Sequence, residues 1–169
     1  MKIVKEFAEA DIKGAIEKFL VKYDKKDLDG IKDAELFFMA MGEAFAQSKV
    51  SDDDDKKELW ETLADDIEEF TSLAYFIEIR GGPKIWMKIN DEGMKMGLYE
   101  GDYEPFADVK NNTWMDWTPA TQLQIMTGNP NTDKQFFSGD LKLKGAIKLA
   151  TKPRQWIYSF FEFIGREVD

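Results

Sequence analysis

The chain has neither cysteine nor histidine among its 169 residues. The first absence rules out a disulfide framework and thiolate chemistry. The second removes the commonest general base and the commonest metal ligand. No apolar run is long enough to cross a bilayer, and the N-terminus lacks the apolar core of a signal peptide. A cytoplasmic protein with no stable membrane insertion is therefore expected. There is also no Ser–His–Asp pattern, no P-loop and no dinucleotide glycine motif. No catalytic residue, metal ligand or cofactor site is assigned from the sequence, and a non-catalytic role is expected.

What the chain has in excess is acid, unevenly placed. The formal net charge is −10; residues 1–70 carry 20 acidic against 11 basic side chains, and residues 71–169 carry 13 against 12. An acidic chain repels phosphate backbones, so nucleic acid is not expected as a partner. The same reasoning anticipates repulsion from anionic membrane surfaces. The C-terminal part is nearly neutral and aromatic: all five Trp lie past residue 59, four of them past residue 85.

The first third reads as about three helices. Phe7, Ile12, Ala15, Ile16, Phe19, Leu20 and Tyr23 recur at helical spacing. Asp24 to Gly30 is a charged turn. It looks superficially like a calcium loop, but Lys26 and Leu28 fall where ligands are required and Gly30 is one place late, so it reads as a solvated connector. A very apolar helix follows over 31–46, then another with Ser51 as cap and Asp52 to Asp55 in its first turn.

Near Thr71 the period drops to two. Tyr75, Ile77 and Ile79 alternate with Phe76, Glu78 and Arg80; Ile85, Met87 and Ile89 alternate with Lys84, Trp86 and Lys88; Met94, Met96 and Leu98 alternate with Lys95, Gly97 and Tyr99. Short turns at Gly81-Gly82-Pro83 and Asn90 to Gly93 join these runs into an antiparallel meander. A weaker extended stretch covers about 107–117, interrupted by Asn111 and Asn112, and Thr118-Pro119 starts a helix. Phe76, Trp86 and Tyr99 alternate onto the outer sheet face. Three aromatics there need a cover, either the N-terminal helices, which is the preferred reading, or a protein contact.

One segment is more distinctive. Phe136-Phe137-Ser138-Gly139 precedes Leu141-Lys142-Leu143-Lys144-Gly145, a short strand with one apolar and one charged face. Ala146, Ile147, Leu149 and Ala150 then suit a helix, and Pro153 opens a last one carrying Trp156, Ile157, Phe160, Phe161, Phe163 and Ile164. This order closely resembles the terminal strand–helix signature of the sterol carrier protein 2 (SCP2) family of lipid-binding domains. Gly93, Ala107-Asp108-Val109 and Leu123 to Gly128 also match family positions. Asp140, Ala146, Asn111 and Pro153 depart from the usual pattern, and the first 50 residues have no counterpart in the minimal domain.

The resemblance implies an α+β fold, with a five-stranded, mostly antiparallel sheet covered by helices. It implies an SCP2-like domain over 51–169 behind an N-terminal helical extension over 1–50. It further implies a tunnel between sheet and helices for a lipid or other apolar ligand, such as an acyl chain, isoprenoid or sterol-like molecule. The residues expected to line it are Ile77, Ile85, Met87, Met94, Met96, Leu98, Leu123, Met126, Phe137, Trp156, Phe160, Phe161 and Ile164. Met suits such a lining because it repacks around varied shapes. The alternative is an interaction or accessory subunit with a filled core, forming a homo-oligomer or docking a partner enzyme through its N-terminal helices.

Overall fold

A computed structural model describes residues 1–168. The chain opens with a strand, β1 (Lys2–Glu6), a single helical turn, α1 (Glu9–Ile12), and then α2 (Ala15–Asp24), α3 (Ala34–Val50) and α4 (Asp54–Phe70). The meander follows as β2 (Leu73–Ile79), β3 (Lys84–Asn90) and β4 (Gly93–Glu100). Next come β5 (Asn111–Trp117), α5 (Pro119–Met126), α6 (Asp133–Ser138) and β6 (Leu141–Gly145). A 3₁₀ turn over Ile147–Leu149 leads into α7 (Lys152–Phe163).

The sheet has six strands in the order β1-β4-β3-β2-β5-β6, not the expected five. The additional strand is β1, which pairs antiparallel with β4. All five of its residues are exposed, so no burial alternation marked it in the sequence. The join is close: a Cβ on Gly97 would lie 1.9 Å from the Lys5 carbonyl oxygen, so only glycine lets the backbones approach. All pairings are antiparallel except β2 with β5.

Local chemistry explains several boundaries. Asp53, rather than Ser51, caps α4: its Oδ1 accepts the Asp55 N–H at 2.9 Å, while Ser51 Oγ accepts from Asp53 N–H one step earlier. Thr118 caps α5 by accepting the Thr121 N–H at 3.1 Å, with Pro119 at the first turn. Asn111 and Asn112 lie within β5 rather than breaking it, because their amides serve the backbone. Asn111 Nδ2 donates to the Phe70 carbonyl at 2.9 Å, and Asn112 clamps Phe106 by donating to its carbonyl and accepting its N–H.

The two sheet faces are buried differently. On one face Leu73, Tyr75, Ile77, Ile85, Met87 and Met96 share a continuous core with α2, α3, α4 and α7, including Phe19, Phe37, Phe45, Leu63 and Phe160. The apolar helix α3 is buried most of the way round, as its composition anticipates. On the other face Phe76, Trp86, Tyr99 and Trp114 form a second cluster. Its cover is the loop between β4 and β5, through Tyr103, Phe106 and Val109, together with Met1. The N-terminal helices lie on the opposite face, which corrects the preferred reading of the sequence. The loop stays down because Asn112 holds Phe106 and because Phe106 and Tyr103 stack on Phe76 at 4.9 and 4.7 Å. Glu78 serves the indole and phenol beneath: it accepts from Trp114 Nε1 at 2.6 Å and Tyr99 Oη at 2.8 Å. Burial, then the Glu78 carboxylate, pushes the Tyr99 phenol far above its usual range. No helix among the described residues is long and apolar enough to cross a membrane.

Candidate functional site

The residues expected to line a tunnel divide three ways. Ile77, Ile85, Met87, Met96, Met126, Trp156, Phe160, Phe161 and Ile164 are buried together in the principal core. Met94 and Leu98 pack against it, half-buried. Leu123 and Phe137 are exposed. Within the core several of the partners are side chains of the first third of the chain, joined by Tyr75 of β2. Phe160 meets Phe19 and Phe37 at 6.0 and 5.8 Å, Phe161 meets Tyr23 at 5.6 Å, and Trp156 meets Tyr75 edge-on at 5.2 Å. Met96 reaches α3, its Cε 3.4 Å from where a Cβ on Gly42 would sit. Helix α3 thus packs against the methionine face of the sheet and against α7.

Open apolar space lies to one side of this core. A groove of about 400 Å³ runs between the β5–β6 end of the sheet and helices α6 and α7. Met115 and Trp117 from β5 and Leu141 and Leu143 from β6 form its floor, and Ile125 and Ile157 its inner wall. The strand register explains the floor: Met115 pairs with Leu143 and Trp117 with Leu141, so the alternation of both strands sends four apolar side chains to one face. Phe136, Phe137 and Ile147 line the rim. Of the residues expected from the sequence only Phe137 lines this groove, while Met126 and Trp156 are chain neighbours of the lining residues Ile125 and Ile157. The Leu141–Leu143 alternation was the sequence signal for the rest. That alternation defines the strand and, by the same parity, sends both leucines to the groove.

The cover of the groove is lightly held. None of the side chains of α6 is buried, and the helix ends on Gly139 in a left-handed conformation, φ 85°. Polar ties hold it at its start and middle: Arg154 Nη2 donates to Asp133 Oδ1 at 2.6 Å, and Gln135 Nε2 donates to Gln124 Oε1 at 2.7 Å. At its C-terminal end the Gly139 carbonyl accepts from Arg80 Nη2 at 3.0 Å.

The opposite wall is fixed. Trp156 Nε1 on α7 donates to buried Asp66 Oδ2 on α4 at 2.8 Å, and Lys152 Nζ stands 3.7 Å from Asp66 Oδ1. Burial raises the Asp66 carboxyl above its ordinary value of 3.8, with the Trp156 and Lys152 interactions pulling the other way. A raised folded value means that the native state holds this proton more tightly than the unfolded chain does. The Asp66 contribution therefore falls as pH rises through the window just above 3.8. Asp66→Asn keeps an acceptor for the indole and removes the charge. It should unfold within about 1 kcal/mol of the parent at neutral pH, because the amide keeps the indole's acceptor and the ion pair given up is to a partly exposed lysine, Lys152. The parent should lose ground to the variant as pH rises through that window. Asp66→Leu strands the indole N–H and should cost about 1–3 kcal/mol. Urea melts across pH test both.

Residues 43–157 match the SCP-2 sterol transfer family. The chain belongs to that family. Among solved structures the fold is similar to sterol carrier protein 2 from Yarrowia lipolytica in its apo form, at 15% identity and a TM-score of 0.50, over 78% of this chain and 94% of that one. A second similar structure is the sterol carrier protein domain 2 of Helicoverpa armigera in solution. It shows 24% identity and a TM-score of 0.37 over 67% of this chain and 87% of that one. No curated protein matches the chain. The SCP2 assignment from the strand–helix segment stands, and with it an SCP2-like α+β fold. Family membership makes lipid or sterol binding and transfer the class of activity, on a fold that is generally non-catalytic.

Proposed function

We propose that this protein binds the apolar tail of a lipid, an acyl chain, isoprenoid or sterol-like molecule, in the groove beneath α6 and carries it without chemical change. The observation that carries the reading is the groove itself. Its volume of about 400 Å³ falls within the usual range for small-molecule sites, roughly 300–1,000 Å³. Its floor is apolar, and each methylene withdrawn from water into it contributes about 0.8 kcal/mol. The loosely packed α6 acts as the door and α7, pinned through Asp66, as the frame. The helices that precede the meander pack over its methionine face, which leaves the ligand the β5–β6 side.

Native mass spectrometry of protein purified from cells should show bound lipid, and a fluorescent fatty acid should titrate saturably. Absence of both would sink the reading. The second reading, an interaction subunit with a filled core, draws on the close packing of α3 against Met96 and α7. It gains if no lipid binds and sedimentation shows the full chain to be an oligomer.

A further inference from the structure

The rim of the groove presents apolar surface that the fold itself leaves unused. Phe137 is 84% exposed, Ile147 58% and Phe136 48%. Three large side chains beside one opening are more than scattered surface hydrophobicity. The charge around them also departs from the rest of the molecule. Residues 133–154 carry six basic and two acidic side chains, in a chain whose net charge is −10. Arg154 is paired with Asp133 and Lys152 with Asp66, which leaves Lys134, Lys142, Lys144 and Lys148 against Asp140. Lys142 and Lys144 lie near Phe136 along the edge strand β6, on the side turned away from the groove, with Lys144 Nζ 4.7 Å from the Trp114 ring; Lys134 and Lys148 are also exposed.

We propose that the β6 edge of the sheet docks on an anionic lipid bilayer, with Phe136, Phe137 and Ile147 entering the headgroup boundary on the groove side and Lys142 and Lys144, on the reverse side of the strand, meeting the acidic headgroups together with Lys134. The composition matches what an interfacial surface needs: rings that partition to the boundary and lysines that attract anionic lipid. The rest of the chain is acidic and repelled by the same surface, which leaves one face able to approach. Docked this way, the groove mouth opens onto the phase that holds its ligand. The inference rests on the groove being a lipid site. It also reverses the expectation from net charge, which averages over a molecule whose 133–154 segment is basic while the whole is acidic. Lysines on an edge strand also discourage sheet-to-sheet pairing, so the test must separate a local role from a general one.

The test is co-sedimentation of the full chain with phosphatidylcholine vesicles, with and without phosphatidylserine. Binding should require phosphatidylserine and weaken as salt is raised. K142E/K144E should bind at least about tenfold more weakly, since each basic residue at such a surface is worth roughly a fivefold gain. F137S should weaken binding as well. K13E/K18E makes the same charge change on exposed positions of the first third of the chain and should match the parent. Equal binding to phosphatidylcholine alone, no binding to either vesicle, or equal losses in the two double variants would each overturn the proposal. K142E/K144E should keep its affinity for a fluorescent fatty acid free in solution, because neither lysine lines the groove. Patch-dependent vesicle binding by a parent that takes up no fatty acid would uphold the docking face and reject the ligand site.

Discussion

Trp156→Ala is expected to destabilise the protein by about 3–5 kcal/mol, the range for deleting a large buried aromatic. Trp156 is 1% exposed, edge-on to Tyr75 and Phe45, and it supplies the N–H that buried Asp66 accepts. Alanine leaves a void and takes the indole donor from the Asp66 carboxylate, which keeps only Lys152 beside it. That loss is a large fraction of a typical domain's stability of 5–15 kcal/mol, so partial unfolding at room temperature is expected. Trp156→Phe fills most of the volume and deletes only the hydrogen bond, for a loss of about 1–3 kcal/mol. Urea denaturation of both separates packing from hydrogen bonding. A loss under about 1 kcal/mol for the alanine variant would show that α7 is not anchored through this side chain.

Leu143→Glu is expected to weaken fatty-acid binding at least about a hundredfold. Leu143 is half-buried on the groove floor, opposite Met115 on β5. A carboxylate there must be desolvated by the bound chain, a penalty of several kcal/mol, and about 2.8 kcal/mol already amounts to a hundredfold. The position is on an edge strand beside open space, so the fold should survive, as a thermal melt would show. Leu143→Met, which conserves bulk, should bind like the parent. Unchanged affinity in the glutamate variant would move the ligand elsewhere, beneath Met87 and Met96 in the first instance.

Much of this fold could be read from the chain because its signals are local. Ile77, Met87 and Met96 alternate with residues of the outer face, and each faces the helices as its parity requires. Pro119 and Pro153 mark helix starts that the structure keeps. What escaped was non-local. Strand β1 has no buried face and exists only because β4 offers it an edge. The loop over Phe76 and Trp86 has no period to detect, and its polar clamp on Phe106 is an asparagine that, read alone, looks like a strand breaker. The cap of α4 moved from Ser51 to Asp53 because several capping residues stand in a row and their order of preference is weak. The groove was half legible. Leu141 and Leu143 were seen to share a face with the strand's apolar side, but their partners Met115 and Trp117 come from β5, and the space above them depends on how α6 is packed.

The parallel pairing of β2 with β5 has a consequence for how the molecule assembles. The meander β2-β3-β4 joins neighbours through tight turns, so its loops close at little entropic cost. The strands that flank the meander must instead be recruited from far along the chain: β1 to β4 across some ninety residues and β5 to β2 across nearly forty. Such distant contacts slow folding and come late. The groove floor is built from β5 and β6, and it can form only once β5 has found β2, so ligand competence should follow the meander rather than accompany it. Partial opening that frees β5 from β2 should abolish binding while the meander persists.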